Sequence, residues 1–120
     1  MSREFLDAVE ANPIIAAVKD DKGLRNCLNR EELTVIFILY GDIRSIGGIV
    51  ERIHEAGKIA MVHIDLITGL TAKEVSVDYI CEDVRADGII STKAFMINRA
   101  KKLGMYTVLR FFLIDSMALK

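Results

Sequence analysis

Short apolar runs alternate with segments of helical periodicity along almost the whole chain, and this alternation restricts its possible folds more than any other feature. None of the runs alternates cleanly between apolar and polar residues, which is typical of parallel strands that are covered on both faces. The predicted strands are "PIIAAVK" (13–19), "LTVIFILYG" (33–41), "KIAMVHID" (58–65), "DGIIST" (87–92) and "MYTVLRFFLID" (105–115). The pattern predicts an α/β chain built from βα units.

The segments between these runs repeat apolar residues at helical spacing. The predicted helices are "SREFLDAVEA" (2–11), "DDKGLRNCLN" (20–29), "DIRSIGGIVERIHEAG" (42–57), "TAKEVSVDYICEDV" (71–84) and "KAFMINRAKKLG" (93–104). Pro13 is expected to stop the first helix at Asn12, because the residue before a proline is pushed out of helical geometry. Gly57 and Gly104 are expected to end the third and fifth helices.

The length of 120 residues predicts a single domain over residues 1–120. Hydrophobic residues make up 52% of the chain, but no apolar run approaches the roughly 20 residues of a membrane helix. The amino terminus also lacks the continuous apolar segment of a signal peptide. We therefore expect a cytoplasmic protein without a membrane partner. Cys27 and Cys81 lack C-x-x-C spacing and are expected to be buried free thiols within helices.

Repeated βα units are compatible with either a barrel or a doubly wound sheet. A nucleotide-binding doubly wound fold would carry G-x-G-x-x-G after the first strand, where this chain has "AVKDDKGLRN". The chain also lacks the Walker pattern G-x-x-x-x-G-K-[ST]. Nucleotide folds are therefore disfavoured, and in either architecture a ligand site is expected at the carboxyl ends of the strands.

Polar residues recur where the predicted strands end. The candidate ligand-binding residues are Lys19, His63, Asp65, Lys93, Arg110 and Asp115. His63 and Asp65 are two positions apart, so on a strand they would share a face and Asp65 would orient the His63 ring. Arg110 interrupts an apolar run and is expected to have a carboxylate or phosphate partner, because an unpaired buried charge is costly.

These residues also have purely structural explanations. Lys19 fits an ordinary exposed loop, because lysines are rarely buried. A hydrogen-bonded His63–Asp65 pair fits an inert core, because buried polar groups are normally paired. Lys93 fits the exposed first turn of the next helix, behind a cap formed by Ser91 and Thr92. The functional alternative is that Lys93 joins the free amides at that helix start in binding an anion.

Several segments together resemble the glycerol uptake operon antiterminator regulatory proteins. They are "NPIIAAVKD", "LYGDI", "AGKIAMVHIDLITGL", "ADGIISTKA", "AKKLGMYTVLRFF" and "DSMAL", in this order between residues 12 and 119. The resemblance implies a small TIM barrel that responds to glycerol 3-phosphate and binds the leader of a glycerol-catabolic messenger RNA, so that transcription passes a terminator. It implies an effector ligand but no enzymatic activity, metal or cofactor. The strand-end residues would then form a sensing pocket.

A TIM barrel has eight strands, so the five predicted here indicate a partial barrel, the amino-terminal part of the family's fold. The phosphate site of such barrels is commonly built by the loops after strands seven and eight. Full ligand binding and antitermination are therefore expected to depend on more than these 120 residues. Unpaired sheet edges invite pairing between chains, which predicts a homo-oligomer.

An RNA surface on this chain must be a local patch, because 16 basic and 17 acidic residues leave a formal net charge of −1. The densest basic segment is "NRAKKLG" (98–104), where Arg99, Lys101 and Lys102 are predicted on the outward side of a helix. The alternative is an ordinary solvated helix face. We expect weak RNA binding that depends mainly on backbone charge.

Two other classes of function stay open. In an aldolase-like or other small-phosphoester TIM-barrel enzyme, Lys93 would form a Schiff base, with His63 as acid or base and Asp65 as its orienting group. In an inactive or oligomerising barrel fragment, neither RNA nor a phosphate ester would bind.

Overall fold

The structure is a computed structural model that describes residues 14–111. Within this range, five strands alternate with four α-helices and one 3-10 turn. In chain order they are β1 (Ile15–Val18), α1 (Asp21–Leu28), β2 (Val35–Ile38), α2 (Ile46–Glu55), β3 (Ile59–His63), the 3-10 turn (Ile64–Leu66), α3 (Glu74–Glu82), β4 (Gly88–Ser91), α4 (Ala94–Lys102) and β5 (Tyr106–Leu109). All five predicted strands are confirmed at shorter length. The helix predicted over residues 2–11 and the end of the fifth apolar run lie outside the described residues.

The strands form one parallel sheet in which spatial order follows chain order, β1-β2-β3-β4-β5. A doubly wound sheet reverses its strand order at a switch point, and the described part of this sheet has none. Sequential parallel strands joined by helices are the arrangement of TIM-barrel βα repeats. The predicted α/β fold class is therefore confirmed, with five parallel strands in place.

The two faces of the sheet carry different apolar clusters. On one face, strand residues such as Ile36 and Val62 pack against the helices. On the other, which we call the inner face, Val35, Met61 and Ile90 pack with strand residues. Side chains two apart on a strand share a face, so His63 follows Met61 onto the inner face. It lies opposite Ile90 in the register between β3 and β4.

Helices α2 and α4 end as the sequence predicts. Gly57 and Gly104 follow them with φ angles of 76° and 79°, a left-handed conformation that glycine adopts without a steric penalty. Cys27 and Cys81 are free thiols in α1 and α3, and both are half-buried. Burial raises the pKa of the Cys81 thiol.

None of the helices within residues 14–111 combines the length and the apolar character needed to cross a membrane.

Candidate functional site at the carboxyl edge

The carboxyl ends of β3, β4 and β5 bring His63, Asp65, Lys93 and Arg110 together, and we call these residues the carboxyl-edge cluster. One terminal nitrogen of the Arg110 guanidinium lies 3.2 Å from His63 Nε2. Lys93 Nζ lies 3.8 Å from Asp65 Oδ2. The charges of Asp65, Arg110 and Lys93 all act on the His63 ring. The cluster therefore joins residues from three neighbouring strand ends.

Asp65 ties the end of β3 to the turn that precedes α4. Its Oδ1 accepts a hydrogen bond from the Ser91 hydroxyl at 2.8 Å. Its Oδ2 accepts two from Thr92, from the backbone amide and from the hydroxyl, each at 2.8 Å. Burial acts to raise the pKa of Asp65, but these hydrogen bonds and the nearby Lys93 together hold it below its usual value. Asp65 thus positions the backbone that carries Lys93.

The expectation that Asp65 orients the His63 ring is wrong. Strand β3 ends at His63, and Asp65 lies in the 3-10 turn that follows. The two-residue periodicity of a strand therefore does not extend to position 65. The Asp65 carboxylate bonds to Ser91 and Thr92 instead, and the ring nitrogen of His63 contacts Arg110.

The His63 imidazole is buried, and only one of its two ring nitrogens has a polar contact among the described residues. The residue is 2% exposed. Its Nε2 contacts Arg110, whereas its buried Nδ1 has no hydrogen-bond partner among the described residues. Burial lowers the pKa of His63, the Asp65 carboxylate opposes this shift, and the cations of Arg110 and Lys93 reinforce it. The net effect favours the neutral form of the ring.

Arg110 follows β5 and is exposed. Its backbone amide donates to the carbonyl of Ser91 at 2.9 Å, which continues the ladder between β4 and β5 beyond the strand. Within residues 14–111 the Arg110 side chain has no carboxylate partner and contacts the His63 ring instead. The reason is that β5 ends at Leu109, so the guanidinium stands at the rim of the sheet and its charge is not buried.

Lys93 is the residue that precedes α4. Lys93 is itself the cap residue of α4, and no side chain caps this helix, so the interpretation of Ser91 and Thr92 as its cap is wrong. The Lys93 backbone amide instead donates to the Ser91 hydroxyl oxygen at 3.0 Å, which stabilises the turn before the helix. The Lys93 side chain is 41% exposed. Its ammonium group is therefore open to a ligand from solvent while the backbone below it is fixed by Ser91 and Asp65.

The other two candidate ligand-binding residues are not part of the cluster. Lys19 follows β1 and is exposed, and β2 separates β1 from β3 in the sheet. It lines a separate cleft of about 350 Å³ together with Asp20, Asn26 and Leu39. Asp115 lies outside the described residues.

The predicted RNA-binding residues differ in their surroundings. Lys101 and Lys102 are exposed near the end of α4. Arg99 is instead held by Asp78 of α3, with Nε 2.8 Å from Oδ1 and a second nitrogen 3.2 Å from Oδ2. Sequence analysis missed Asp78, because only the packing of α3 against α4 brings it to Arg99. The predicted basic patch is thus two exposed lysines beside a paired arginine.

The comparisons with known proteins give a family match and a relative of similar sequence. The family described as "Glycerol-3-phosphate responsive antiterminator" matches residues 14–120. Over 114 residues the chain is 42% identical to the uncharacterized protein YgcP of Escherichia coli (strain K12), a match that covers 95% of this chain and 59% of that protein.

Two crystal structures have a similar fold. The glycerol uptake operon antiterminator regulatory protein from Listeria monocytogenes str. 4b F2365 superimposes with a TM-score of 0.81 and 31% identity, covering 88% of this chain and 56% of that one. A glycerol uptake operon antiterminator-related protein from Thermotoga maritima MSB8 gives a TM-score of 0.74 and 32% identity, covering 88% and 58%.

The chain spans less than two thirds of the length of each of these relatives. The family match nevertheless covers nearly all of this chain, including every described strand. This chain belongs to the family of glycerol-3-phosphate responsive antiterminators.

Proposed function

We propose that this chain carries the effector-sensing part of a cytoplasmic transcription antiterminator. In this proposal, glycerol 3-phosphate binds at the carboxyl-edge cluster, and the protein acts on the leader messenger RNA of glycerol-catabolism genes. The observation that carries the proposal is the convergence of Lys93 and Arg110 at one edge of the sheet in a member of this family. Ligands of parallel α/β folds bind at that edge.

The charges of the cluster suit a phosphate monoester. Lys93 and Arg110 supply two positive charges, and Asp65 supplies one carboxylate that already accepts three hydrogen bonds. Arg110 contacts a neutral ring nitrogen, so its guanidinium remains available for bidentate binding of an oxyanion. A phosphate monoester carries between one and two negative charges near neutral pH and would balance this excess.

Calorimetric titration with glycerol 3-phosphate tests the proposal directly. We expect binding to the unmodified chain, no detectable binding of glycerol, and a loss of about tenfold in affinity for Lys93→Met, since one charged contact contributes roughly 1.4 kcal/mol. Lys22→Met, which removes an exposed lysine of α1, is the control and should bind like the unmodified chain. Equal affinities for glycerol and glycerol 3-phosphate would contradict a phosphate site.

The RNA part of the proposal rests on Lys101 and Lys102. Both are exposed and neither belongs to an ion pair within residues 14–111, so they can approach phosphates directly. Arg99 would have to leave Asp78 to do the same. We therefore propose that the two lysines provide the phosphate contacts and that Arg99 mainly joins α4 to α3.

Binding of leader RNA should weaken steeply with salt, because each neutralised phosphate releases counterions. For Lys101→Ala with Lys102→Ala, we expect the slope of log affinity against log salt to fall by about 1.5, because each of the two phosphate contacts contributes roughly 0.7–0.9. Lys22→Ala with Arg25→Ala, which removes two exposed charges from α1, should leave the slope unchanged. Tight, leader-selective binding that survives the first pair of substitutions would contradict the proposed surface.

The enzyme alternative is disfavoured by the surroundings of Lys93. Schiff-base lysines are desolvated so that the amine is neutral, whereas Lys93 is 41% exposed and lies beside a carboxylate.

An oligomerising role is supported by the sheet edges, since Ile14 and Ile15 at β1 are exposed. We propose a homo-oligomer on this ground, and sedimentation as a single monomeric species at all concentrations would contradict it.

A further inference from the structure

The two histidines of the chain, His54 and His63, face hydrogen-bonding partners of opposite kinds. His54 Nε2 lies 2.7 Å from the Asp87 carboxylate. A carboxylate only accepts, so Nε2 of His54 carries a proton. His63 Nε2 lies 3.2 Å from the Arg110 guanidinium. A guanidinium only donates and keeps its protons, so Nε2 of His63 accepts.

This assignment fixes the proton of His63. A neutral imidazole carries one N–H, and with Nε2 as acceptor the hydrogen is on Nδ1. This nitrogen is buried and unpartnered among the described residues. Buried polar groups are nearly always hydrogen-bonded, so an orphan of this kind requires an explanation. A donor that is enclosed and unpaired within residues 14–111 is suited to an acceptor that arrives with a ligand.

We infer that Arg110 holds His63 as the neutral, Nδ1-protonated tautomer, and that His63 donates this N–H to an oxygen atom of the anionic ligand. The tautomer rests on geometry alone, whereas the identity of the ligand rests on the function proposed above. Arg110 acts here as a positioning residue. The ligand class is an oxyanion ester, with its charge balanced by Lys93 and Arg110 and one further oxygen fixed by His63.

Entry of the ligand requires a side chain to move, because Nδ1 has no solvent contact in this state. Arg110 is exposed, so its guanidinium can approach a ligand that enters from solvent. An oxyanion is also a stronger acceptor for a guanidinium than a neutral ring nitrogen. The guanidinium has five N–H donors, so its remaining donors can bind the ligand while one nitrogen stays on His63 Nε2.

Protonation of His63 would break this arrangement. The imidazolium has two donors and no acceptor, and it would lie beside the cations of Arg110 and Lys93, with Asp65 as the opposing anion. The contact with Arg110 would be lost, and the enclosed N–H would no longer be held in one orientation. The tautomer that Arg110 holds is therefore confined to pH values at which the His63 ring is neutral.

Nitrogen-15 NMR of the full chain, labelled at histidine, tests the tautomer without any ligand. Long-range proton–nitrogen correlations at neutral pH should give an Nδ1-protonated ring for His63 and an Nε2-protonated ring for His54, which acts as the internal reference. His63→Gln assigns the two signals. A His63 ring that is protonated on Nε2, or on both nitrogens, would overturn the inference.

Two arginine variants show whether the His63 tautomer depends on Arg110 itself or on the loss of any exposed arginine. Arg110→Ala should leave His63 in a mixture of tautomers. Arg25→Ala, at an exposed position of α1, should leave the His63 signals unchanged. An unchanged His63 tautomer in Arg110→Ala would show that Arg110 does not position the ring.

Titration with glycerol 3-phosphate then tests the donor. The Nδ1 proton of His63 should shift on binding, and His63→Asn, whose amide nitrogen lies near the Nδ1 position, should retain more affinity than His63→Gln, by about tenfold. Binding detected by calorimetry without a shift at Nδ1 would overturn the donor role. If neither glycerol 3-phosphate nor inorganic phosphate binds, the donor role and the proposed function both fail, while the spectrum of the free protein still decides the tautomer.

Discussion

Gly88→Ala is expected to lower the free energy of unfolding by about 3 kcal/mol, the upper range for overpacking a buried site. Gly88 lies in register between Met61 on β3 and Tyr106 on β5. A Cβ atom at this position would stand 2.6 Å from the Met61 sulfur and closer still to the Tyr106 carbonyl oxygen. Met61 is fully buried, and a backbone carbonyl cannot move without disturbing the ladder. Chemical denaturation followed by circular dichroism measures the loss.

Gly48→Ala is the matched control for this substitution. Gly48 lies within α2, and nothing comes within 4 Å of a Cβ atom added there. Alanine in place of a helical glycine is expected to raise the free energy of unfolding by about 0.5–1 kcal/mol. Equal midpoints for Gly88→Ala and the unmodified chain would mean that Met61 does not pack over β4 as described.

The strands were predictable because buried parallel strands are short, continuously apolar and separated by helices. Their ends were not. Leu39 and Tyr40 continue the second apolar run beyond β2, which ends at Ile38, and Tyr40 still packs against the core. Apolar composition therefore marks burial, whereas the end of a strand depends on where the neighbouring ladder stops.

The membership of the carboxyl-edge cluster was predictable in the same way, since the carboxyl ends of parallel strands meet at one edge. The contacts between side chains within the cluster were not predictable from the sequence. His63 meets Arg110 because β3, β4 and β5 are in register across Ile90 and Val108. The role of Asp65 depends on a 3-10 turn that the pattern "HIDL" does not reveal. The spacing of residues in the sequence thus predicts which residues belong to the carboxyl-edge cluster, whereas the register between strands determines which of them contact each other.

Asp65→Asn is expected to lower the free energy of unfolding by about 2 kcal/mol, because hydrogen bonds to a charged group contribute roughly 1.5–3 kcal/mol. The carboxylate accepts three hydrogen bonds from Ser91 and Thr92. An amide of the same shape presents one oxygen, so at least one of these donors loses its acceptor in either amide orientation. The control is Asp83→Asn, at an exposed position after α3, which should stay within about 0.5 kcal/mol of the unmodified chain.

The pH dependence of the change in unfolding free energy on Asp65→Asn shows whether the change comes from loss of the carboxylate charge or from altered packing. The pKa of Asp65 is lowered in the folded chain, whereas an unfolded aspartate titrates near a pKa of about 3.9. The unfolded chain therefore binds the proton first as the pH falls, and the stabilisation by Asp65 is present above about pH 4 and disappears as the pH drops through the folded pKa. Denaturation curves of Asp65→Asn and the unmodified chain should accordingly differ at pH 7 and converge in acid. A difference that persists below the folded pKa would show that the substituted amide perturbs packing and that the carboxylate charge is not what stabilises the turn before α4.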